Sequence, residues 1–245
     1  MSGVGWKRGL AAVLFPERCA CCGEVVRVGE DCCEHCRASL SHIAPPVCPF
    51  CGRGRDACRC RQHRRHFERC VSPFYYDGAI QKGILRLKEE ERWETVRFLA
   101  SKMAETVERE YADVSFDGIA PVPMTKRALK KRGFNQSLLL TRELGKRLSL
   151  PVTEPLQKLV DTRPQKVLSA AERSGNVLGV FDLTEGASPA GLTLLLVDDL
   201  VTTGATLDEC AKMLKIYGAE AVYAVTASAT RPEKSEKEEQ EDAPA

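Results

Sequence analysis

The stretch that most constrains the fold is Leu194-Leu195-Leu196-Val197-Asp198-Asp199-Leu200-Val201-Thr202-Thr203-Gly204-Ala205-Thr206. Its near-continuous apolar run, Leu192 to Val197, predicts a central strand of a parallel sheet covered on both faces. Two adjacent carboxylates follow at the carboxyl end, where open α/β sheets take their ligands. A threonine-rich loop around Gly204 then opens a helix predicted over Ala205 to Tyr217, with Gly218 at its C′ position. Backbone N–H groups at such a helix start, with the hydroxyls of Thr202, Thr203 and Thr206 beside them, suit a phosphate without any lysine. Asp198 and Asp199 can accept hydrogen bonds from two neighbouring ribose hydroxyls.

The surrounding pattern repeats strand and helix. Val71 to Tyr76 reads as a strand, and Ala79 to Tyr111 as helical with a charged interruption at Glu89 to Glu94. Gly118 to Val122 reads as a strand, Gln136 to Leu148 as a helix and Leu156 to Val160 as extended. Ser169 with Glu172 forms a capping box opening a short helix, and Ala221 to Ala227 closes the set. This rhythm predicts an α/β fold with a mostly parallel sheet. Three zones result: 1–70, cysteine-rich; 71–230, the α/β domain; 231–245, an acidic tail expected to be disordered.

Eleven of the 12 cysteines lie between Cys19 and Cys70. The longest early apolar run, Gly9 to Phe15, is too short for a bilayer and stops at Pro16-Glu17, so no membrane insertion is expected. Residues 6–15 read as a short amphipathic helix. No small-residue cleavage site follows, which predicts a cytoplasmic protein whose cysteines bind metal instead of pairing as disulfides. Cys19-x2-Cys22, Cys33-x2-Cys36, Cys48-x2-Cys51 and Cys58-x-Cys60 are thiolate pairs of the kind a tetrahedral zinc site takes. Gly23 and Gly52 follow two of them, as a zinc knuckle requires. The reading is a double zinc ribbon with two closed structural sites, each made of four cysteines. A cross-braced pairing uses the same eight residues, and Cys21, Cys32 or Cys70 can replace a chosen partner. His35, His42, His63 and His66 read as exposed or phosphate-adjacent.

The net charge of +2 conceals an uneven distribution. Beyond residue 232 the chain carries six acids against Lys234 and Lys237, so the remainder is distinctly basic. Such a body suits an anionic ligand, nucleic acid or phosphate alike. The basic segment Pro121 to Gln136 reads as a loop after a strand, with Lys130, Lys131 and Arg132 as candidate contacts to a nucleic-acid backbone. Phe67, Phe74, Tyr75 and Tyr76 form an aromatic cluster that a core strand explains, so no stacking platform is expected.

The stretch from Leu194 to Thr206 resembles the signature of type I phosphoribosyltransferases. With the segments 121–136 and 162–176 and the cysteine zone, almost the whole chain resembles the ComF family of competence proteins. The resemblance implies that Asp198 and Asp199 grip the ribose 3′- and 2′-hydroxyls of phosphoribosyl pyrophosphate as the catalytic pair. Thr202, Thr203, Gly204, Ala205 and Thr206 would cradle its 5′-phosphate, and magnesium would be held mainly by the ligand's own oxygens. Segment 121–136 corresponds to the pyrophosphate-side loop, and 162–176, with Arg163, Gln165 and Arg173, to a mobile closing loop. Lys126, Arg127 and Arg163 are the candidate pyrophosphate cations. Where the family has an aromatic and a small residue after its lysine, this chain has Glu89-Glu90-Glu91-Arg92-Trp93, and Lys88 is assigned no role.

Three functions compete on this reading. One is a catalytic phosphoribosyltransferase moving ribose 5-phosphate onto a nitrogen base by positioning and pyrophosphate neutralisation. Another is a protein handling single-stranded DNA during DNA uptake, beside a competence helicase and a recombination mediator. The third is a regulator sensing phosphoribosyl pyrophosphate. After the last predicted strand only the acidic tail remains, so residues 1–76 would have to supply any base-recognising cover. The resemblance and the zinc ribbon favour the DNA role. No regulator module accompanies the fold.

Overall fold

The computed structural model describes residues 16–58, 60, 65–160 and 180–231. The expected helix at 6–15, His63, the loop bearing Arg163, Gln165 and Arg173, the capping box at Ser169, and the acidic tail from 232 on lie outside the described residues. The elements are α1 (Glu34–Ala38), β1 (Cys70–Val71), β2 (Phe74–Tyr75), α2 (Gly78–Glu89), α3 (Trp93–Glu110), β3 (Gly118–Pro121), α4 (Lys126–Arg132), α5 (Gln136–Leu148), β4 (Leu156–Lys158), β5 (Phe181–Leu183), β6 (Thr193–Val201), α6 (Ala205–Ile216) and β7 (Ala221–Ala229).

The main sheet is parallel, in the order β1-β7-β6-β3, with β2 also pairing to β7. β6 lies inside it, and its side chains alternate between two cores. Leu195 and Val197 pack with α2, α3 and α5; Leu194 and Leu196 pack with α6. β4 and β5 form a separate antiparallel pair, and Thr125 bridges to Lys158, which brings this pair to the start of α4.

The expected strand at 71–76 is two short strands, because Pro73 has no N–H to give the ladder. Both halves still pair with β7. The helical stretch 79–111 is divided by extended backbone at Glu90 and Arg92, where the charged interruption falls. β6 runs further than its apolar core, so Asp198 and Asp199 are its own residues and not part of a loop.

The basic segment after β3 is a correction. Lys126–Arg132 is a helix and not a loop, capped by the Thr125 side chain and ended by Gly133 at φ 89°. It buries none of its residues, so no hydrophobic periodicity marks it. Lys130, Lys131 and Arg132 occupy its last turn, where cations favour the helix dipole.

The cysteine segment packs into the sheet's own cores. Cys19, Cys21, Cys32 and Cys36 join the core under α2 and α3, where Thr95 Oγ1 donates to Ala20 O at 2.6 Å. Ile43, Phe67 and Cys70 join the opposite core beside α6, and Gly52 bridges to Val71 at the sheet's edge.

Leu195 is fully buried between β3 and β7. Leu195→Ala is expected to destabilise the fold by about 3 kcal/mol, mostly through the cavity it leaves. Urea unfolding followed by circular dichroism checks this, and a loss below about 1 kcal/mol contradicts this account of the core.

Candidate functional site: a carboxylate pair beside a glycine loop, and two cysteine tetrads

Asp198 and Asp199 stand at the carboxyl end of β6 in a cleft of about 300 Å³. Val122 to Thr125 from the β3–α4 connection, Gln136 and Ser137 from α5, Lys158 and Thr206 also line it. Ser137 Oγ donates to Asp198 Oδ1 at 2.8 Å, and the Asp199 N–H donates to the same oxygen at 2.9 Å. Asn135 fixes Ser137: its side chain accepts from the Ser137 N–H at 3.0 Å and donates to Val122 O at 3.1 Å.

Burial, with the neighbouring Asp199 carboxylate second, pushes the Asp198 carboxyl up to about 8; the Ser137 hydrogen bond works against this. Both causes favour the protonated form of Asp198 in the unliganded site. Its folded-state value lies above the unfolded one. Its contribution to stability is therefore complete in acid and is lost as pH rises through the window up to about 8.

Asp199 meets a partner to which the sequence analysis gives no role. Lys88 Nζ, from the last turn of α2, lies 2.7 Å from Asp199 Oδ2. The contact lacks the alignment of a hydrogen bond and is a close ion pair. Ile80, Ile84 and Leu87 bury the apolar face of α2, and this packing carries Lys88 over the end of β6. Its acidic neighbours in sequence disguise it, since the register that brings it to Asp199 is tertiary.

The loop after β6 opens a helix as expected. Gly204 takes a left-handed conformation at φ 80° as the N-cap of α6, with no side-chain cap. Thr203 Oγ1 accepts from the Ala205 N–H at 3.3 Å. Thr206 lines the cleft with the carboxylates. Lys126 and Arg127 are exposed on α4 and are not among the lining residues. Lys158 is, held there by the bridge between β4 and Thr125. The α4 helix turns the basic run outward: Lys130 and Lys131 are exposed, while Arg132 donates to Gln136 Oε1.

The cysteines form two tetrads, consecutive along the chain and not cross-braced. The sulfurs of Cys19, Cys22, Cys33 and Cys36 lie within 4.8 Å of one another, as do those of Cys48, Cys51, Cys58 and Cys60. Zinc with bonds of about 2.3 Å holds its sulfurs about 3.8 Å apart in a tetrahedron. Cys22–Cys33 and Cys51–Cys58 are each at 3.7 Å, and Cys48–Cys60 is tighter at 3.3 Å. The donor sets fit zinc. Gly23 and Gly52 take positive φ after the second cysteine of their pairs. Cys21 and Cys32 lie side by side at 3.8 Å next to the first tetrad, while Cys70 is in β1 and Cys210 in α6. His35 is exposed, His42 packs on Phe74 at 4.8 Å between ring centres, and His66 faces Asp208 in the first turn of α6.

These features define a phosphoribosyltransferase domain joined to a double zinc ribbon. The double zinc ribbon family model matches residues 10–71, and the phosphoribosyl transferase domain model matches residues 136–245. The chain is 31% identical over 208 residues to DNA utilization protein YhgH of Salmonella typhimurium, covering 83% of this chain and 86% of that protein. It is 29% identical over 202 residues to competence protein ComFC of Bacillus subtilis, covering 78% and 80% respectively. With competence protein F of Haemophilus influenzae the identity is 28% over 214 residues, covering 78% and 93%. The chain belongs to the ComF family.

Metal analysis of the purified protein is expected to return about two zinc per chain. Cys48→Ser should lower this to about one, and Cys210→Ser should leave it unchanged. Full zinc in the Cys48→Ser variant would remove that cysteine from the second tetrad.

Proposed function

We propose that this protein binds phosphoribosyl pyrophosphate, or a nucleotide phosphate, in the cleft at the end of β6 and handles single-stranded DNA in DNA uptake. The observation that carries the ligand reading is the carboxylate pair, held by Ser137 and Lys88 beside a loop that opens α6 through a left-handed glycine. On this reading Asp198 and Asp199 take the ribose hydroxyls, and Thr202 to Thr206 take the 5′-phosphate. Lys158 and Lys88 supply cations toward the pyrophosphate, and Arg163 remains a candidate to join them. Magnesium enters with the ligand and adds charge neutralisation there. The two cysteine tetrads hold one structural zinc each.

The DNA reading draws on the names of the relatives and on the surface. The chain's place is then the cytoplasm, beside a competence helicase and a recombination mediator. No helix among the described residues is long and apolar enough to cross a membrane. The last turn of α4 presents exposed Lys130 and Lys131 with Arg132 behind them. Trp93, 41% exposed at the start of α3, borders an open groove with Arg142 and Lys146, a face on which a base can stack. Phe67, Phe74 and Tyr75 are buried and belong to the core.

Phosphoribosyl pyrophosphate with magnesium is expected to raise the melting temperature by ligand linkage. Hydroxyl donors and a divalent cation favour ionised Asp198, so binding at pH 7 should release a proton and tighten as pH rises toward about 8. Calorimetry in buffers of different ionisation enthalpy measures that proton. Asp198→Asn with Asp199→Asn should abolish both effects in a folded protein. No thermal shift at millimolar ligand contradicts the reading. Release of pyrophosphate with a free base would instead identify a catalytic transferase.

Single-stranded DNA affinity should fall steeply with salt, because each neutralised phosphate releases counterions. Changing Lys130, Lys131 and Arg132 together to Ala should flatten that dependence by up to about two units on the single-strand scale. Fluorescence anisotropy of a labelled oligonucleotide reads it out. Undetectable binding at low salt sinks the DNA reading and leaves the ligand reading standing.

A further inference from the structure

The phosphate loop carries no cationic side chain, yet two arginines from the cysteine-rich segment reach it. Arg53, nearly buried, spans β7's exit and the loop. Its Nη2 donates to Thr202 O at 2.5 Å and to Thr230 Oγ1 at 2.9 Å, and its Nε donates to Thr230 O at 2.5 Å. Arg65 Nη2 donates to the next carbonyl, Thr203 O, at 2.7 Å. The same guanidinium lies 3.8 Å from the point where a Cβ on Gly204 would sit.

The consequence follows from peptide geometry. In a planar trans peptide the C=O and the N–H point in opposite directions. Drawing the Thr202 and Thr203 carbonyls toward the two arginines therefore turns the N–H groups of Thr203 and Gly204 the other way. Among the described residues neither N–H donates to a protein acceptor. They are left for an anion. Asp208, in the first turn of α6, is an acid where the helix dipole would draw a phosphate. Arg65 Nη1 at 3.9 Å and His66, through its N–H at 2.6 Å, occupy that carboxylate.

Local structure ties Arg53 to the second tetrad. The Cys48 N–H donates to Arg53 O at 2.7 Å, and the Gly52 N–H donates to Cys48 O at 2.9 Å. The turn that presents Cys48 and Cys51 thus also sets the backbone from which Arg53 reaches the loop.

We propose that the second zinc module is part of the anion site: Arg53 and Arg65 are positioning residues that preset the phosphate loop's N–H groups. This rests on the reading that the loop takes a sugar phosphate. It assigns the zinc ribbon a task in ligand binding, separate from any contact with DNA.

The test is calorimetric titration of the zinc-loaded full chain with ribose 5-phosphate, and a phosphorus NMR titration with inorganic phosphate. Arg65→Ala should weaken both ligands by about tenfold, the scale of a charge-assisted hydrogen bond, without changing zinc content or the unliganded melting temperature. Arg65→Lys should recover part of the loss, because an ammonium can still reach one carbonyl. Arg53→Lys should weaken both ligands too, since a single ammonium cannot span Thr202 and Thr230. Asp198→Asn should weaken ribose 5-phosphate alone, because inorganic phosphate has no hydroxyls for it to hold. If the native chain binds ribose 5-phosphate and the Arg65→Ala and Arg53→Lys proteins bind it equally well, the inference falls and the sugar-phosphate reading stands. If the native chain binds neither ligand, both fall together.

Discussion

β6 hydrogen-bonds to β3 on one side and to β7 on the other, and both of its faces are buried. With every lateral direction occupied, the strand opens only at its carboxyl end, and there the backbone delivers Asp198 and Asp199. Burying two adjacent carboxylates is costly unless protons, cations or hydrogen bonds compensate. The site draws on all three: a carboxyl on Asp198 whose pKa is raised toward the protonated form, the Lys88 ammonium on Asp199, and the Ser137 hydroxyl.

The cysteine-rich segment is built into the same architecture. Its first tetrad rests in the core under α2 and α3, and residues around the second join the opposite core beside α6. β1 and β2, which follow it directly, form the sheet's edge on β7. An edge strand so short, continued by the bridge from Gly52 to Val71, leaves little exposed ladder for a second chain to pair with. Small closed metal sites add order where the chain has few aliphatic residues to bury. The ribbon therefore stabilises an edge of the sheet, and its arginines reach the loop of Thr202 to Thr206 from outside.

The basic residues divide by geometry into two groups. Lys88 pairs with Asp199 through α2's packing, and Lys158 lines the cleft through β4's bridge to Thr125. Lys130 and Lys131 face solvent on a helix with no buried side. The two groups are thus held by different elements, and a single substitution need not disturb both.

The sequence alone determined the central strand, the acid pair, the glycine-centred loop and the helix after it, because each is a local pattern: an apolar run, adjacent acids, a glycine among threonines, and apolar residues at helical spacing. It also singled out the eight cysteines of the tetrads, with Cys21, Cys32 and Cys70 as alternative partners, since paired thiolates at short spacing on tight turns are themselves local geometry. α4 was hidden because it buries nothing, and β5 because three residues carry too little pattern. Which cysteines share a tetrad, and which cations meet the carboxylates, only the tertiary structure decided. Lys88 and Asp199 stand on elements far apart in the chain, and Arg53 is 149 residues from Thr202. Lys126 and Arg127 are close in sequence to residues of the cleft, yet α4 carries them away from its lining, while helix packing brings Lys88 to Asp199 and a turn of the cysteine segment brings Arg53 to Thr202. Local pattern encodes what the backbone does next; contacts across such separations depend on where the cores set each element down.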